Sequence, residues 1–125
     1  MYDLAIIGAG PGGYEAAAYA AKLGKSVVLF EKAEVGGTCL NVGCIPTKTL
    51  LRSAKSLAEC KHAAKYGVTV AEPTLDMKAV QARKQEVIAM LVKGVRGMLK
   101  KAKVEMVFAE ARIAGRGKVV ADGTE

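Results

Sequence analysis

The sequence predicts an α/β domain with a Rossmann-like parallel sheet, and three features near its start support this class. An apolar run at residues 2–7 ends at Gly8, an alanine-rich stretch occupies residues 12–23, and a second, β-branched run occupies residues 26–31. This alternation is typical of a strand, a helix and a parallel strand, joined by a right-handed connection. Because such a sheet normally has further strands, it is expected to be incomplete at its carboxy-terminal end.

The next predicted helix begins at Pro46, runs to about Tyr66 and is ended by Gly67. Proline suits the first turn of a helix, and glycine suits the position just after the last turn. One face of the helix is expected to pack into the core through Leu50, Ala54, Leu57, Ala58 and Ala64.

A longer helix is predicted from Asp76 to Lys103, and two strands follow at residues 104–113 and 117–123, on either side of Gly115. Apolar residues recur along the helix at spacings of three, four or seven, which indicates a core-facing stripe. The stripe consists of Val80, Val87, Leu91, Val95, Met98 and Ala102.

Composition and charge exclude several classes of protein. Hydrophobic residues make up 51% of the 125 residues, which is enough for one domain with its own core. No run approaches the roughly 20 apolar residues of a membrane span, and residues 1–10 do not resemble a secretory signal. Much of the net charge of +7 lies in residues 93–103, without the interleaved aromatic side chains of a single-strand-binding surface. We therefore expect a cytoplasmic protein with neither a membrane nor a nucleic-acid partner.

The segment "GAGPGG" places Gly8, Gly10 and Gly13 in the pattern GxGxxG, between a predicted strand and a predicted helix. These glycines permit a tight turn, the close approach of a pyrophosphate, and close packing of the helix on the strand. Glu31 follows at the end of the second strand, near the spacing at which a carboxylate binds an adenosine ribose. The sequence therefore predicts dinucleotide binding, and this motif leaves NAD and FAD both open.

The segment "GGTCLNVGCIPTK" contains Cys39 and Cys44, which could form a zinc site, a structural disulfide or a redox pair. Zinc needs four ligands, and the remaining candidates, Cys60 and His62, lie a helix away and face in different directions from each other, so no metal is expected. A structural disulfide is disfavoured in a reducing compartment. Redox chemistry is favoured, because a cysteine just before a helix starting at Pro46 is stabilised as a thiolate. A flavin accepts electrons from a thiolate more readily than a nicotinamide does, which favours FAD.

Three segments, "GAGPGGYEAA", "VVLFEK" and "GGTCLNVGCIPTKTLL", resemble the amino-terminal FAD region of the pyridine-nucleotide disulfide oxidoreductases. Within that family, Leu40, Ile45 and Thr47 are more similar to the dihydrolipoamide dehydrogenases than to the glutathione reductases, while mercuric reductases share the cysteine frame. The resemblance covers essentially the whole chain. It implies that residues 1–125 form part of an FAD-binding domain, with the NAD and interface domains absent.

The resemblance also implies a role for each site residue. Cys39 would exchange with lipoamide, Cys44 would contact the flavin, and Lys48 would lie beside the reducible nitrogen of the flavin. Contacts to the rest of FAD would come from Gly8, Gly10, Gly13, Glu31, Gly37, Thr38 and Ala111. Ala111 stands where glycine is common in the family and would contact adenine through its backbone.

The implied reaction starts from dihydrolipoamide on a lipoyl carrier protein and passes electrons through the cysteine pair and FAD to NAD, in a homodimeric parent enzyme. The family's second glycine-rich motif, its later Gly-Asp and its carboxy-terminal His and Glu have no counterpart in this sequence. The chain is therefore expected to be an amino-terminal fragment that is inactive by itself. Three alternatives stay open: a non-catalytic dinucleotide-binding or assembly module, a glutathione- or mercuric-reductase-like enzyme of the same family, and a nicotinamide dehydrogenase without flavin.

Overall fold

The computed structural model describes residues 1–122 and consists of a three-stranded parallel sheet, a separate hairpin and four α-helices. Along the chain the elements are β1 (Leu4–Ile7), α1 (Pro11–Lys22), β2 (Val27–Glu31), α2 (Gly37–Asn41), α3 (Cys44–His62), a 3₁₀ turn (Ala63–Tyr66), α4 (Met77–Lys101), β3 (Glu105–Phe108), β4 (Ala111–Gly115) and β5 (Lys118–Ala121). Within the described residues, no helix is both long and apolar enough to cross a membrane.

The predicted strand, helix and parallel strand are confirmed. β1 and β2 pair in parallel from Leu4 opposite Val27 to Ile7 opposite Phe30. The helix between them ends where Gly24 takes a φ of +81°, a conformation that glycine adopts without strain. β3 pairs with β2 on its other side, also in parallel, so the strand order within residues 1–122 is β1-β2-β3.

Two apolar clusters hold the fold together. In the larger one, α1 and α4 cover one face of the sheet, and Leu29, Leu99 and Val35 are fully buried. The smaller cluster joins α2 to α4 through Leu40, Ile88 and Val92. α4 therefore anchors both the sheet and the segment that carries Cys39.

The predicted stripe of α4 is displaced from the buried side chains of this helix. Its buried residues are Ile88, Val92 and Leu99, and none of them belongs to that stripe. The predicted residues flank them: Met98 is exposed and the others are half-buried, and three of these, Leu91, Val95 and Ala102, pack against the two clusters. α4 contacts α1, α2 and α3 together, so these neighbours determine which of its apolar side chains become buried.

The prediction for α3 was wrong in its start and in its apolar face. α3 begins at Cys44, two residues before Pro46, and has no fully buried residue. Of the predicted face only Leu57 is half-buried, whereas the other half-buried positions in the middle of the helix carry Thr49, Ser53, Ser56 and Cys60. Small side chains let α3 lie close to α4, and the Thr49 hydroxyl is satisfied by donating to the Ile45 carbonyl oxygen at 2.9 Å.

The strand predicted at residues 104–113 is divided between two sheets. β3 pairs with β2, whereas β4 pairs antiparallel with β5. The break falls where the Ala109 amide donates to the Glu31 carbonyl oxygen at 3.0 Å, at the end of the parallel ladder. The last residue of the strand predicted at 117–123, Gly123, lies outside the described residues.

Candidate functional site

The glycine turn between β1 and α1 is so tight that one of its positions has no room for a side chain. Gly8 has a φ of +97°, and its amide donates to the Phe30 carbonyl oxygen at 2.7 Å. A Cβ built on Gly13 would lie 1.8 Å from the Gly8 carbonyl oxygen. The third glycine is therefore required by backbone packing between strand and helix, as the pattern predicts.

The start of α1 presents backbone donors. Gly10 is the N-cap and Pro11 the first helical residue, and no side chain caps the helix. The backbone amide of Tyr14 donates to the Gly10 carbonyl oxygen at 2.9 Å and makes the first hydrogen bond of the helix. The amides of Gly12 and Gly13 precede it and have no acceptor within the helix. Such amides at the positive end of a helix fit a phosphate or pyrophosphate.

Glu31 connects the glycine turn to the end of β2. One carboxylate oxygen accepts from the Ala9 amide at 2.7 Å, and the other accepts from the Ala33 amide at 2.9 Å. The sequence predicts a ribose contact for this carboxylate, and the structure adds two hydrogen bonds by which it stabilises the turn. Each oxygen keeps further acceptor capacity, so the same geometry can also accept hydrogen bonds from two ribose hydroxyls.

The cysteine-bearing segment lies directly on the glycine turn. The Gly36 amide donates to the Ala9 carbonyl oxygen at 2.8 Å. Gly37 has a φ of +57°, and a Cβ built on it would lie 2.8 Å from the Gly10 Cα. Two backbones thus meet without side chains between them, and Thr38 follows as an exposed residue in the first turn of α2.

The turn after α2 brings Cys39 next to Cys44. A Cβ on Gly43 would lie 2.8 Å from the Thr38 carbonyl oxygen, so glycine closes this turn. Cys39 is half-buried in α2, Cys44 is the exposed first residue of α3, and both are free thiols. The sequence predicted the proximity of the pair, but not the short helix that carries Cys39.

The two thiols interact, and this controls the acidity of one of them. A hydrogen bond from Cys39 to Cys44 raises the pKa of Cys39 above its usual value, and partial desolvation and the negative charge of Cys44 add to the rise. The positive charge of Lys48 and the amide of Cys44 act in the opposite direction with smaller effect. Lys48 lies on α3 one turn after Cys44 and is exposed.

Replacing Cys44 by alanine is expected to lower the pKa of Cys39, because it removes the acceptor that holds the Cys39 proton. A raised pKa means less thiolate at a given pH, so in the variant Cys39 becomes reactive at lower pH. Alkylation of Cys39 by iodoacetamide, followed by peptide mass spectrometry across a pH series, measures this shift. Cys60→Ala serves as the control, since Cys60 lies about 24 Å along α3 from Cys44. A Cys39 profile unchanged by Cys44→Ala would contradict the hydrogen bond.

Two residues beside the cysteine pair, Asn41 and Tyr14, are not predicted as site residues from the sequence. Asn41, between the cysteines, donates from its side-chain amide to the carbonyl oxygens of Val35 and Gly37, each at 3.0 Å, and so fixes α2. The pKa of Tyr14, on α1, is raised above its usual value, mainly by burial, then by the charge of Glu15, and also by the charge of the Cys39 thiolate. Tyr14 therefore lies near Cys39. Asparagine in a short turn is a recognisable signal, whereas the Tyr14 contact is visible only in three dimensions.

The remaining predicted residues lie at different distances from the pair. Ala111 begins β4, two residues after the Ala109 amide that bonds to Glu31, which places it near the carboxyl end of β2. His62 is exposed at the last position of α3, about 27 Å from Cys44 along the helix. Among residues 1–122, no group of three or more His, Cys, Asp or Glu side chains could hold a metal ion.

Comparison with known proteins adds a family and several close relatives. The family described as pyridine nucleotide-disulphide oxidoreductase matches residues 2–125. The dihydrolipoyl dehydrogenase of Mycoplasma genitalium is 48% identical over 98% of this chain and 27% of its own length. The enzyme of the same name from Chlorobaculum parvum is 50% identical over 100% of this chain and 27% of its own length. One from Bacillus subtilis is 44% identical over 96% of this chain and 27% of its own length. The chain thus spans about a quarter of the length of these curated relatives.

Proposed function

The chain belongs to the pyridine nucleotide-disulphide oxidoreductase family, and we propose that it supplies the FAD-binding turn and the redox cysteine pair of an enzyme that oxidises dihydrolipoamide. The observation that carries this proposal is the backbone contact between Gly10 and Gly37. It joins a dinucleotide-type turn to the segment that holds two neighbouring thiols. Electron transfer between a dithiol and a bound cofactor needs this proximity.

The residues of the turn fit FAD. The open amides at the start of α1 suit its pyrophosphate, with Gly8 and Gly10 leaving room for its approach and Gly13 letting the helix pack closely on the strand. Glu31 retains acceptor capacity for the adenosine ribose, and we assign the backbones of Gly37, Thr38 and Ala111 to further contacts. When bound, FAD accepts the electrons of the dithiol and passes a hydride to a nicotinamide.

The cysteine pair reacts with the substrate by thiol–disulfide exchange, in two steps. A thiolate of dihydrolipoamide attacks Cys39 in the Cys39–Cys44 disulfide, the S–S bond breaks, and Cys44 leaves as a thiolate. The second substrate thiolate then displaces Cys39, so lipoamide leaves as a cyclic disulfide and both cysteines are reduced. We assign Cys44 to the flavin side, because it starts α3 one turn before Lys48, whose positive charge favours electron-rich groups nearby.

Dihydrolipoamide is proposed as the substrate because the similar proteins carry the name dihydrolipoyl dehydrogenase. Leu40, Ile45 and Thr47 favour the same choice over a glutathione-reductase-like enzyme. NAD as final acceptor, a lipoyl carrier protein as partner, homodimeric assembly and a cytoplasmic location are proposed for the whole enzyme. Residues 1–125 alone are expected not to reduce NAD.

Lipoamide is expected to oxidise the reduced chain at Cys39 and Cys44. Two thiol hydrogens pass to lipoamide, so the chain loses the mass of two hydrogen atoms and dihydrolipoamide is released. Peptide mapping of the acid-quenched reaction identifies the linked cysteines, and Cys60→Ala should react like the unaltered chain. A disulfide that includes Cys60 would refute the assignment. FAD binding without any lipoamide exchange would instead favour a non-catalytic dinucleotide-binding module.

A further inference from the structure

A row of cations runs along α4 beside the outer edge of the sheet. Lys93, Arg96 and Lys100 follow one another at spacings of three and four, which places them on one side of α4, and Lys103 lies two residues after the helix ends at Lys101. Arg96 is paired with Glu34, with 2.7 Å between its Nη2 and a carboxylate oxygen. In the part of the chain that the structure describes, the three lysines form no ion pair, and all are exposed.

Lys103 occupies a position where glycine would be easier. Its φ is +60°, and the Val104 amide donates to the Leu99 carbonyl oxygen at 3.0 Å, the arrangement in which α-helices commonly end on glycine. A residue with a Cβ costs about 1 kcal/mol in this conformation. Backbone strain of this kind is found at functional positions, and the Lys103 side chain adds a cation beyond the end of α4.

Three of these cations, Arg96, Lys100 and Lys103, border a groove of about 350 Å³ along β3, which we call the β3 groove; Lys93 is not part of its lining. It is lined by Arg96, Lys100, Lys103, Val104, Glu105, Met106 and Phe108. Phe108 is 51% exposed, and the Arg96 guanidinium lies 5.1 Å from the centre of its ring. The one carboxylate of the lining, that of Glu105, accepts a hydrogen bond from the Tyr2 hydroxyl.

The backbone of β3 is open on the side of this groove. Within residues 1–122, β3 pairs only with β2. The Ala109 amide faces β2, since it donates to the Glu31 carbonyl oxygen. Because the direction of backbone groups alternates along a strand, those of Met106 and Phe108 point away from β2. An extended segment can therefore pair with β3 at these two residues.

We propose that the β3 groove binds an acidic, extended segment of a partner protein, which adds to the sheet as a strand beside β3. Arg96 and Lys100 lie about 6 Å apart along α4, which matches the distance between alternate residues of an extended chain. Alternate side chains of such a segment lie on the α4 side, where carboxylates meet Lys100 and Lys103. A second copy of this chain is disfavoured as the occupant, because it would bring two lysine rows together.

A fluorescein-labelled peptide of alternating Glu and Thr tests the proposal by fluorescence anisotropy at fixed ionic strength. We expect saturable binding that Lys100→Glu weakens about tenfold. Lys78→Glu is the matched control: it makes the same charge change at an exposed position near the other end of α4, and should have little effect. Equal weakening by both variants would mean that the peptide binds through general charge attraction, and this result would overturn the proposal.

The same peptide, N-methylated at every second residue, tests strand addition without altering the protein. Methylation along the pairing edge is expected to abolish binding, and methylation along the opposite edge is expected to preserve it. Binding that tolerates both patterns would overturn pairing with β3.

Two results would assign the groove to another occupant. If oligothymidylate bound more tightly than the peptide and Lys100→Glu weakened its binding as well, the groove would be a nucleic-acid surface, and the proposal would be overturned. Self-association in sedimentation experiments that Lys100→Glu abolishes would assign it to a second copy.

Discussion

Gly13→Ala is expected to destabilise the chain by about 3 kcal/mol and to abolish FAD binding. The added Cβ would lie 1.8 Å from the Gly8 carbonyl oxygen and 3.0 Å from the Gly8 carbonyl carbon. Both are backbone atoms, so no side-chain rotation relieves the overlap, and β1 must move away from α1. Urea unfolding followed by circular dichroism measures the stability, and quenching of flavin fluorescence measures the binding.

Gly12→Ala provides the matched control for this experiment. Gly12 lies in the same first turn of α1, and a Cβ built on it meets no atom within 4 Å. Alanine there is expected to stabilise the chain by about 0.5 kcal/mol, because it restricts the unfolded chain and favours the helix. Opposite signs at neighbouring glycines would establish the steric requirement, and equal effects at both positions would refute it.

Gly37→Ala is expected to destabilise the chain by about 2 kcal/mol and to weaken FAD binding more than its stability loss explains. The variant places a Cβ 2.8 Å from the Gly10 Cα and retains a φ of +57° that disfavours alanine. Relief of this contact moves α2, with Cys39, away from the glycine turn. The same unfolding and flavin-binding measurements apply, made at a temperature where the variant is folded.

Gly24→Ala separates the two causes. Gly24 has a φ of +81°, yet a Cβ there meets no atom within 4 Å, so this variant has only the conformational cost, about 1 kcal/mol. Its FAD binding should equal that of the unaltered chain. If Gly24→Ala and Gly37→Ala weakened FAD binding equally, the contact between Gly10 and Gly37 would have no specific role.

The candidate site was predictable from the sequence wherever its chemistry depends on neighbouring residues. The spacing of Gly8, Gly10 and Gly13 after an apolar run specifies a turn that only glycine can form. The placement of Cys39 and Cys44 between glycines and a helix start likewise indicated a thiol pair. The backbone bonds of Glu31 to Ala9 and Ala33 were not predictable, because they depend on how β2 lies beside the turn.

The sequence by itself determined the βαβ unit, the glycine turn and the thiol pair, since backbone sterics and short-range spacing act within a few residues. Only the tertiary structure decided which side chains of α4 are buried, where residues 104–113 divide, and that Cys44 raises the pKa of Cys39. Each of these depends on a neighbour distant in the chain or across a turn. Apolar patterning shows that a helix has a buried side, but the elements packed against α4 select Ile88, Val92 and Leu99.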